Sequence, residues 1–320
     1  MTSSRRSCRA RDLLAASVIS AASLLAASFL AAAPPPGPLL RTDAPPCVIV
    51  HEPELSAEAT RLAAASPAII DRLTRQIGAP PMADCRLFLI TRFDLGDEDL
   101  AEAGTVMPDW AAGIALPDMG AMVIRADRVG AWRQRELTGV FAHEMAHLLM
   151  FSAAGVGADR MPSWFKEGVA ANFARDGEWL DFFNLWVSPI PSADHPLTEV
   201  GHAFSSQYPV MLKGAYAGSY SFVRFAMDRH SAALPARVMA CLREGLDFDR
   251  AWLEAAGVSL ADTENSWSSE IRGKTRWAAI LTSTATLWLA ITMLVLLAWL
   301  LKKRRAARMI ERWEQEDPFS

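Results

Sequence analysis

His143, Glu144 and His147 fall within the run His143-Glu144-Met145-Ala146-His147, the pattern H-E-x-x-H, and no other residues in the sequence carry so specific a chemistry. On an α-helix, residues four apart lie one turn apart on one face, so both imidazoles can reach a single metal ion. The intervening Glu lies beside them, where a carboxylate can meet a metal-bound water without taking a coordination position. The pattern encodes two zinc ligands, His143 and His147, and a base, Glu144. A hydrolytic zinc site also needs a third protein ligand and one open position. Glu167 is the expected third ligand, within Pro162-Ser163-Trp164-Phe165-Lys166-Glu167-Gly168 on the next predicted helix, where a helix reversal can return its carboxylate to the metal. Gly168 beside it has no side chain, which lets two helices approach closely.

Those residues need a scaffold. Cys47 to His51, Arg86 to Thr91, Trp110 to Ala115 and Ala121 to Ala126 read as strands, and the turn-rich run Leu116 to Gly120 joins the last two as a hairpin. A helical pattern runs from Glu58 to Ile77, with Leu62, Ile69, Ile70 and Leu73 on its apolar side, and stops at Gly78. The motif helix is expected from about 131 to 150, ending in Ala154-Gly155-Val156-Gly157, and Ser163 is the expected N-cap of a helix over 164–175. Residues 178–214 read as an irregular loop region, followed by helices near 215–230, 233–244, 247–256 and 259–272. Strands first and helices afterwards make an α+β fold: an N-terminal mixed sheet, a central motif helix and a C-terminal helical part.

The termini set the expected placement of the 320-residue chain. Arg5, Arg6, Arg9 and Arg11 precede an apolar run from Leu13 that closes on Ala31-Ala32-Ala33, so residues 1–33 read as a secretory signal peptide or an uncleaved anchor. Residues 34–46 are Pro-rich and read as an extended linker, and 47–272 as the catalytic domain. Residues 278–301 lack charge and would reach roughly 36 Å as one helix, which predicts a transmembrane span with Trp277 and Trp299 at its edges. A basic tail follows at 302–320. Its Lys302, Lys303, Arg304, Arg305 and Arg308 predict a cytoplasmic C-terminus, and hence a single-pass protein of the cytoplasmic membrane with its catalytic domain on the periplasmic or extracellular side. The formal charge of −4 comes without a basic patch, which argues against nucleic acid as a partner. Of the four cysteines, Cys8 lies in the N-terminal basic region; Cys47 and Cys85 each open a predicted strand and are the expected pair, leaving Cys241 free.

The joined motifs resemble the gluzincin zinc metallopeptidases of the peptidase MA-like family. That family couples H-E-x-x-H to a downstream W-F-x-E-G-x-A, here Trp164-Phe165-Lys166-Glu167-Gly168-Val169-Ala170. Tyr216 to Val223 resembles a further helical segment, and Gly245, Phe248, Ala251, Gly257, Val258 and Trp267 a final stretch. The resemblance covers about 47–272. It implies a zincin-like metallopeptidase domain holding one Zn2+ ion on His143, His147 and Glu167, with Glu144 as catalytic base. It also implies an oxyanion donor, Tyr216 first and Tyr220 second. One position departs from the pattern: some gluzincins place an Asp four residues after the ligand Glu to orient a zinc histidine, and here that residue is Ala171. Asn172 or a residue outside this helix is left to orient the histidine. His51, His195, His202 and His230 are expected at the surface or in the core, with His202 the candidate among them to line the cleft.

The expected function is a membrane-anchored zinc peptidase that hydrolyses peptide bonds with a Glu-activated, zinc-bound water outside the cytoplasmic membrane, on a peptide or protein substrate. The alternative is a catalytically silent zincin-fold binding or scaffold module at the membrane surface; a zinc hydrolase of a non-peptide amide is a third reading. Leu148 to Gly157 offers no third His at metzincin spacing, and Arg133, Arg135 and Glu136 on the motif helix exclude an intramembrane protease. In zinc peptidases of this build a strand borders the cleft. Ala111 to Ala115 is the candidate, either because the small residues around Gly113 admit a peptide as an added strand or because Gly113 relieves crowding in a central strand.

Overall fold

Short β-branched and apolar runs alternate with turn residues between Leu40 and Arg125, and they form a five-stranded mixed sheet. The computed structural model describes residues 38–316 except 83, 109–110, 130–132, 175–196, 198–199, 202–203, 205–208 and 282–283. The segment expected as a signal peptide, 1–33, lies outside the described residues, as do His195 and His202.

The strands are β1 (Leu40–Ala44), β2 (Cys47–His51), β3 (Cys85–Ile90), β4 (Gly113–Leu116) and β5 (Ala121–Arg125). Their order is β1-β2-β3-β5-β4: β2, β3 and β5 run parallel, and β1 and β4 lie antiparallel on the two edges. β1 corrects one expectation. Leu40–Ala44 pairs residue by residue with β2 instead of continuing the extended linker, because the backbone groups of this run find partners on the edge of β2. Cys47 and Cys85 are register partners on β2 and β3 and form the expected disulfide, with Cα atoms 4.3 Å apart. The expected hairpin is present, though its first strand starts at Gly113.

Helix α1 (Ser56–Ile77) links β2 to β3 and buries Leu62, Ile70, Leu73 and Ile77. It ends on Gly78, whose φ of 70° is the left-handed C-cap conformation glycine tolerates best. α2 (Glu98–Val106), which the sequence analysis did not anticipate, is capped by the Asp97 carboxylate, which accepts from the N–H groups of Asp99 and Leu100. The motif helix α3 (Arg133–Ala154) is buried on almost every side by Phe141, Ala142, Met145, Ala146, Leu148, Leu149 and Met150. Such a helix is fixed by its surroundings, which suits one that must hold reactive groups still. α4 (Ser163–Ala174), α5 (Pro209–Arg229), α6 (Leu234–Arg243) and α7 (Phe248–Ala256) complete the core around Trp164, Phe165, Phe222, Phe248 and Trp252, whose rings meet mostly edge to face. Trp267 of α8 (Leu260–Leu281) closes this cluster against Phe222.

α8 and α9 (Thr284–Glu316) overturn the expected membrane placement. No helix among the described residues is long and apolar enough to cross a membrane. Within the expected span over 278–301, α8 is described to Leu281 and α9 from Thr284. α9 then continues unbroken through Lys302, Lys303, Arg304 and Arg305. The transmembrane helix, the single-pass localisation and the membrane as a partner are corrected accordingly.

Candidate metal centre and its cleft

α3 presents Val140, His143, Glu144, His147 and Phe151 along one stripe, at helical spacing, and all five line a cleft of about 780 Å³. The chain then reverses. Gly155 adopts φ 53°, a 3₁₀ stretch covers Gly155–Arg160, and Arg243 Nε donates to the Ala153 carbonyl at 2.6 Å to satisfy the end of α3. Arg160 in turn donates to the carbonyls of Gly245 and Leu246. α4 starts at Ser163 itself, the expected cap, and so one residue before the expected start at 164, and the Pro162 carbonyl accepts from the N–H groups of Phe165 and Lys166. Trp164 and Phe165 are buried, which turns the next residue face, Glu167, back toward α3.

The reversal brings three side chains together. His143 Nε2 lies 3.2 Å from His147 Nε2 and 3.3 Å from Glu167 Oε2, and His147 Nε2 lies 3.6 Å from Glu167 Oε2. Ligands about 2.0–2.1 Å from a tetrahedral zinc ion stand roughly 3.3 Å from one another. The three distances match the face of such a tetrahedron, and the donor set of two imidazoles and one carboxylate is one that zinc takes. Burial works against ionisation of Glu167, but the charge of His147 and hydrogen bonds with His143 and His147 outweigh it and hold the carboxyl well below the usual range.

Glu144 points away from this triangle and lies against β4. It is 7% exposed, and burial pushes its carboxyl up to about 7. The charge of His143 and the Ala115 N–H that donates to it pull the other way, and the charge of Glu167 adds to the rise. Gly113 makes the slot: a Cβ there would lie 2.6 Å from Glu144 Oε1 and 2.7 Å from its Cγ. The crowding reading of Gly113 therefore changes: β4 is an edge strand and not a central one, and what fills the space is the carboxylate of the H-E-x-x-H motif.

The edge of β4 is also available. Arg125 N–H donates to the Ala112 carbonyl, and Gly113 and Ala115 are the partners of Ile124 and Met122. In this antiparallel register the N–H and C=O groups of Gly113 and Ala115 point away from β5; the Ala115 N–H is taken by Glu144, which leaves the Gly113 N–H and C=O and the Ala115 C=O toward the cleft.

Tyr216 and Tyr220, one turn apart on α5, both line the cleft. Burial, followed by the charges of Glu167 and Glu144, pushes the Tyr216 hydroxyl far above its usual range, so it stays protonated and able to donate. Its ring meets Phe204 edge to face at 5.0 Å. Gly168 serves α5 rather than α3, since a Cβ there would sit 2.5 Å from the Ser219 carbonyl oxygen. Asn172 Nδ2 donates to the carbonyls of Gly168 and Tyr220, so it pins α4 to α5 and does not orient a histidine. His51 is buried in its own network with Thr42 and the Glu52 carbonyl, and His230 closes α5 away from the cleft. Sequence reasoning missed the pairing of Gly113 with Glu144 and the cleft positions of Phe151 and Lys166. A Gly inside a short strand signals close approach by something, but not by what.

A family model described as Peptidase MA superfamily matches residues 64–273. No curated protein matches the chain.

Proposed function

The chain belongs to the Peptidase MA superfamily, and from that premise we propose that it is a gluzincin-type zinc peptidase that hydrolyses peptide bonds in peptide or protein substrates. The single observation that carries the reading is the triangle of His143, His147 and Glu167 at tetrahedral ligand spacing, with Glu144 held beside it in a cleft.

His143, His147 and Glu167 would hold the ion, which would supply a Lewis acid for the carbonyl and for the attacking water. Glu144 accepts a proton from the attacking water and returns it to the leaving amine, work suited to a carboxyl whose burial has raised it to about 7. Gly113 and Ala115 keep its carboxylate in one place. Tyr216, still protonated, donates a hydrogen bond to the developing oxyanion, with Tyr220 as the second choice. The outward N–H and C=O of Gly113 and the C=O of Ala115 pair with an extended substrate, which aligns its scissile bond along the cleft.

Glu144→Gln tests this assignment. The amide keeps the shape but cannot take the proton, so one zinc per chain should remain while hydrolysis of a mixed peptide library falls by about 10² to 10⁴-fold. Retained hydrolysis, or loss of zinc, overturns Glu144 as the base.

A further inference from the structure

Apart from the two histidines and two glutamates already described, the charged residue lining the cleft among the described residues is Lys166. It sits on the first turn of α4 immediately before Glu167, and its Nζ lies 5.8 Å from the centroid of the Phe151 ring. Phe151 stands one turn beyond His147 on α3 and lines the same cleft, so the ring and the ammonium mark the end of the cleft past His147. The neighbouring carboxylate does not neutralise Lys166, because Glu167 is turned to the two imidazoles. No ion pair joins Lys166 to another described residue.

The rest of the wall is largely apolar, with Pro108, Ala111, Ala112, Ile114 and Val140. In such a cleft a few polar groups fix the orientation of the ligand, and one ammonium resting on an aromatic face is half desolvated before anything binds. A lysine donates up to three hydrogen bonds and accepts none, so the partner that suits it in the cleft is an acceptor, best a charged one.

We propose that Lys166 is a specificity-determining residue that selects peptides presenting a carboxylate at the end of the cleft beyond His147. The carboxylate is either the C-terminus of a short peptide or the side chain of an Asp or Glu. The inference rests on the reading of this cleft as a peptide site.

The test uses binding, so that it does not depend on turnover. The full chain, loaded with zinc, is titrated by fluorescence anisotropy with three dye-labelled alanine tetrapeptides: one with a free C-terminal carboxylate, its C-terminal amide, and an amide carrying one Glu. The wild type should bind one of the two anionic peptides about 10-fold more tightly than the neutral amide, the size of a partly exposed charge-assisted hydrogen bond. Which of the two it prefers identifies the source of the carboxylate. In Lys166→Met, which keeps the stem on Phe151, the ratio should fall to about one, and Lys166→Arg should restore most of it. A wild-type ratio of one, a ratio unchanged in Lys166→Met, or no binding of any peptide overturns the proposal. Carboxylate-selective binding without hydrolysis of any peptide would instead leave Lys166 in place and remove the peptidase reading.

Discussion

Gly113→Ala adds one methyl group to a strand, and the structure fixes what that methyl meets. It would lie 2.6 Å from Glu144 Oε1, 2.7 Å from Cγ and 2.9 Å from Cδ. Ordinary contact between such atoms begins near 3.5 Å, so the carboxylate has to retreat by about 0.9 Å. The backbone does not resist the substitution, because Gly113 lies in an ordinary extended strand and is not among the positive-φ glycines. Glu144 has little room to give way, being 7% exposed. A misplacement of about 1 Å of a reacting group costs roughly 10²-fold in rate. The expected result is a kcat/KM about 100-fold lower on any peptide the wild type cleaves, with one zinc per chain retained, since the three ligands are not touched. Zinc by plasma mass spectrometry and kcat/KM on the same preparation make the assay. Full activity in Gly113→Ala refutes the slot, and so does loss of zinc alongside activity, which would trace the damage to the histidines. The structure also rules out a bulkier residue such as Val at 113 as a probe of substrate pairing, because it would strike Glu144 first.

Glu167→Ala should lower zinc occupancy well below one per chain at micromolar metal, because two imidazoles remain; full occupancy would send the search for the third ligand elsewhere. Hydrolysis should fall as pH falls, since only ionised Glu144 accepts a proton. Burial sets that carboxyl at about 7 and a bound cation lowers it, so the acid limb of kcat/KM belongs at or below about pH 7, and a limb above pH 8 would contradict the assignment. Gly168→Ala places a Cβ 2.5 Å from the Ser219 carbonyl oxygen and 2.6 Å from Val223 Cγ2. Overpacking of this kind costs about 1–3 kcal/mol, which a shift in the urea midpoint would measure and an unchanged midpoint would disprove.

What the sequence made legible is what local periodicity and ligand chemistry determine. His143, Glu144 and His147 follow from a helical spacing of four, and Glu167 from the need for a third ligand on the next helix. The hairpin over β4 and β5 and the Cys47–Cys85 pair follow from strand and turn residues in short runs. Contacts between elements that no motif or cysteine marks were not legible. The slot for Glu144 joins residues on β4 and α3 that no periodic pattern links, and only the placement of β4 at the sheet edge reveals it. α2 was missed because its nine residues bury only Leu100 and Ala103, too few for an amphipathic pattern, and its one clear signal is the Asp97 cap. The membrane span rested on counting uncharged residues along 278–301, and no helix among the described residues is long and apolar enough to cross a membrane.

The position of Ala171 shows how the site manages without the expected aspartate. Glu167, Gly168, Ala171 and Asn172 sit on one turn and a half of α4 but divide between two tasks. Glu167 and Ala171 are four apart and both line the cleft, one as a charged group and the other as an open space beside it. Gly168 and Asn172, also four apart, face α5: the first lets the helices close to backbone contact and the second donates to the Tyr220 carbonyl. Because Tyr216 precedes Tyr220 by one turn, the same contact that seats α4 against α5 fixes Tyr216 relative to Glu167. A carboxylate at 171 would enter the cleft beside Glu167 and oppose it as a like charge, whereas Ala171 leaves the negative charge concentrated on Glu167, the proposed ligand. With Ala171 at that position, the backbone contact of Gly168 with Ser219 and the hydrogen bond from Asn172 to the Tyr220 carbonyl hold this stretch of α4 in place, one step removed from His143, His147 and Glu167.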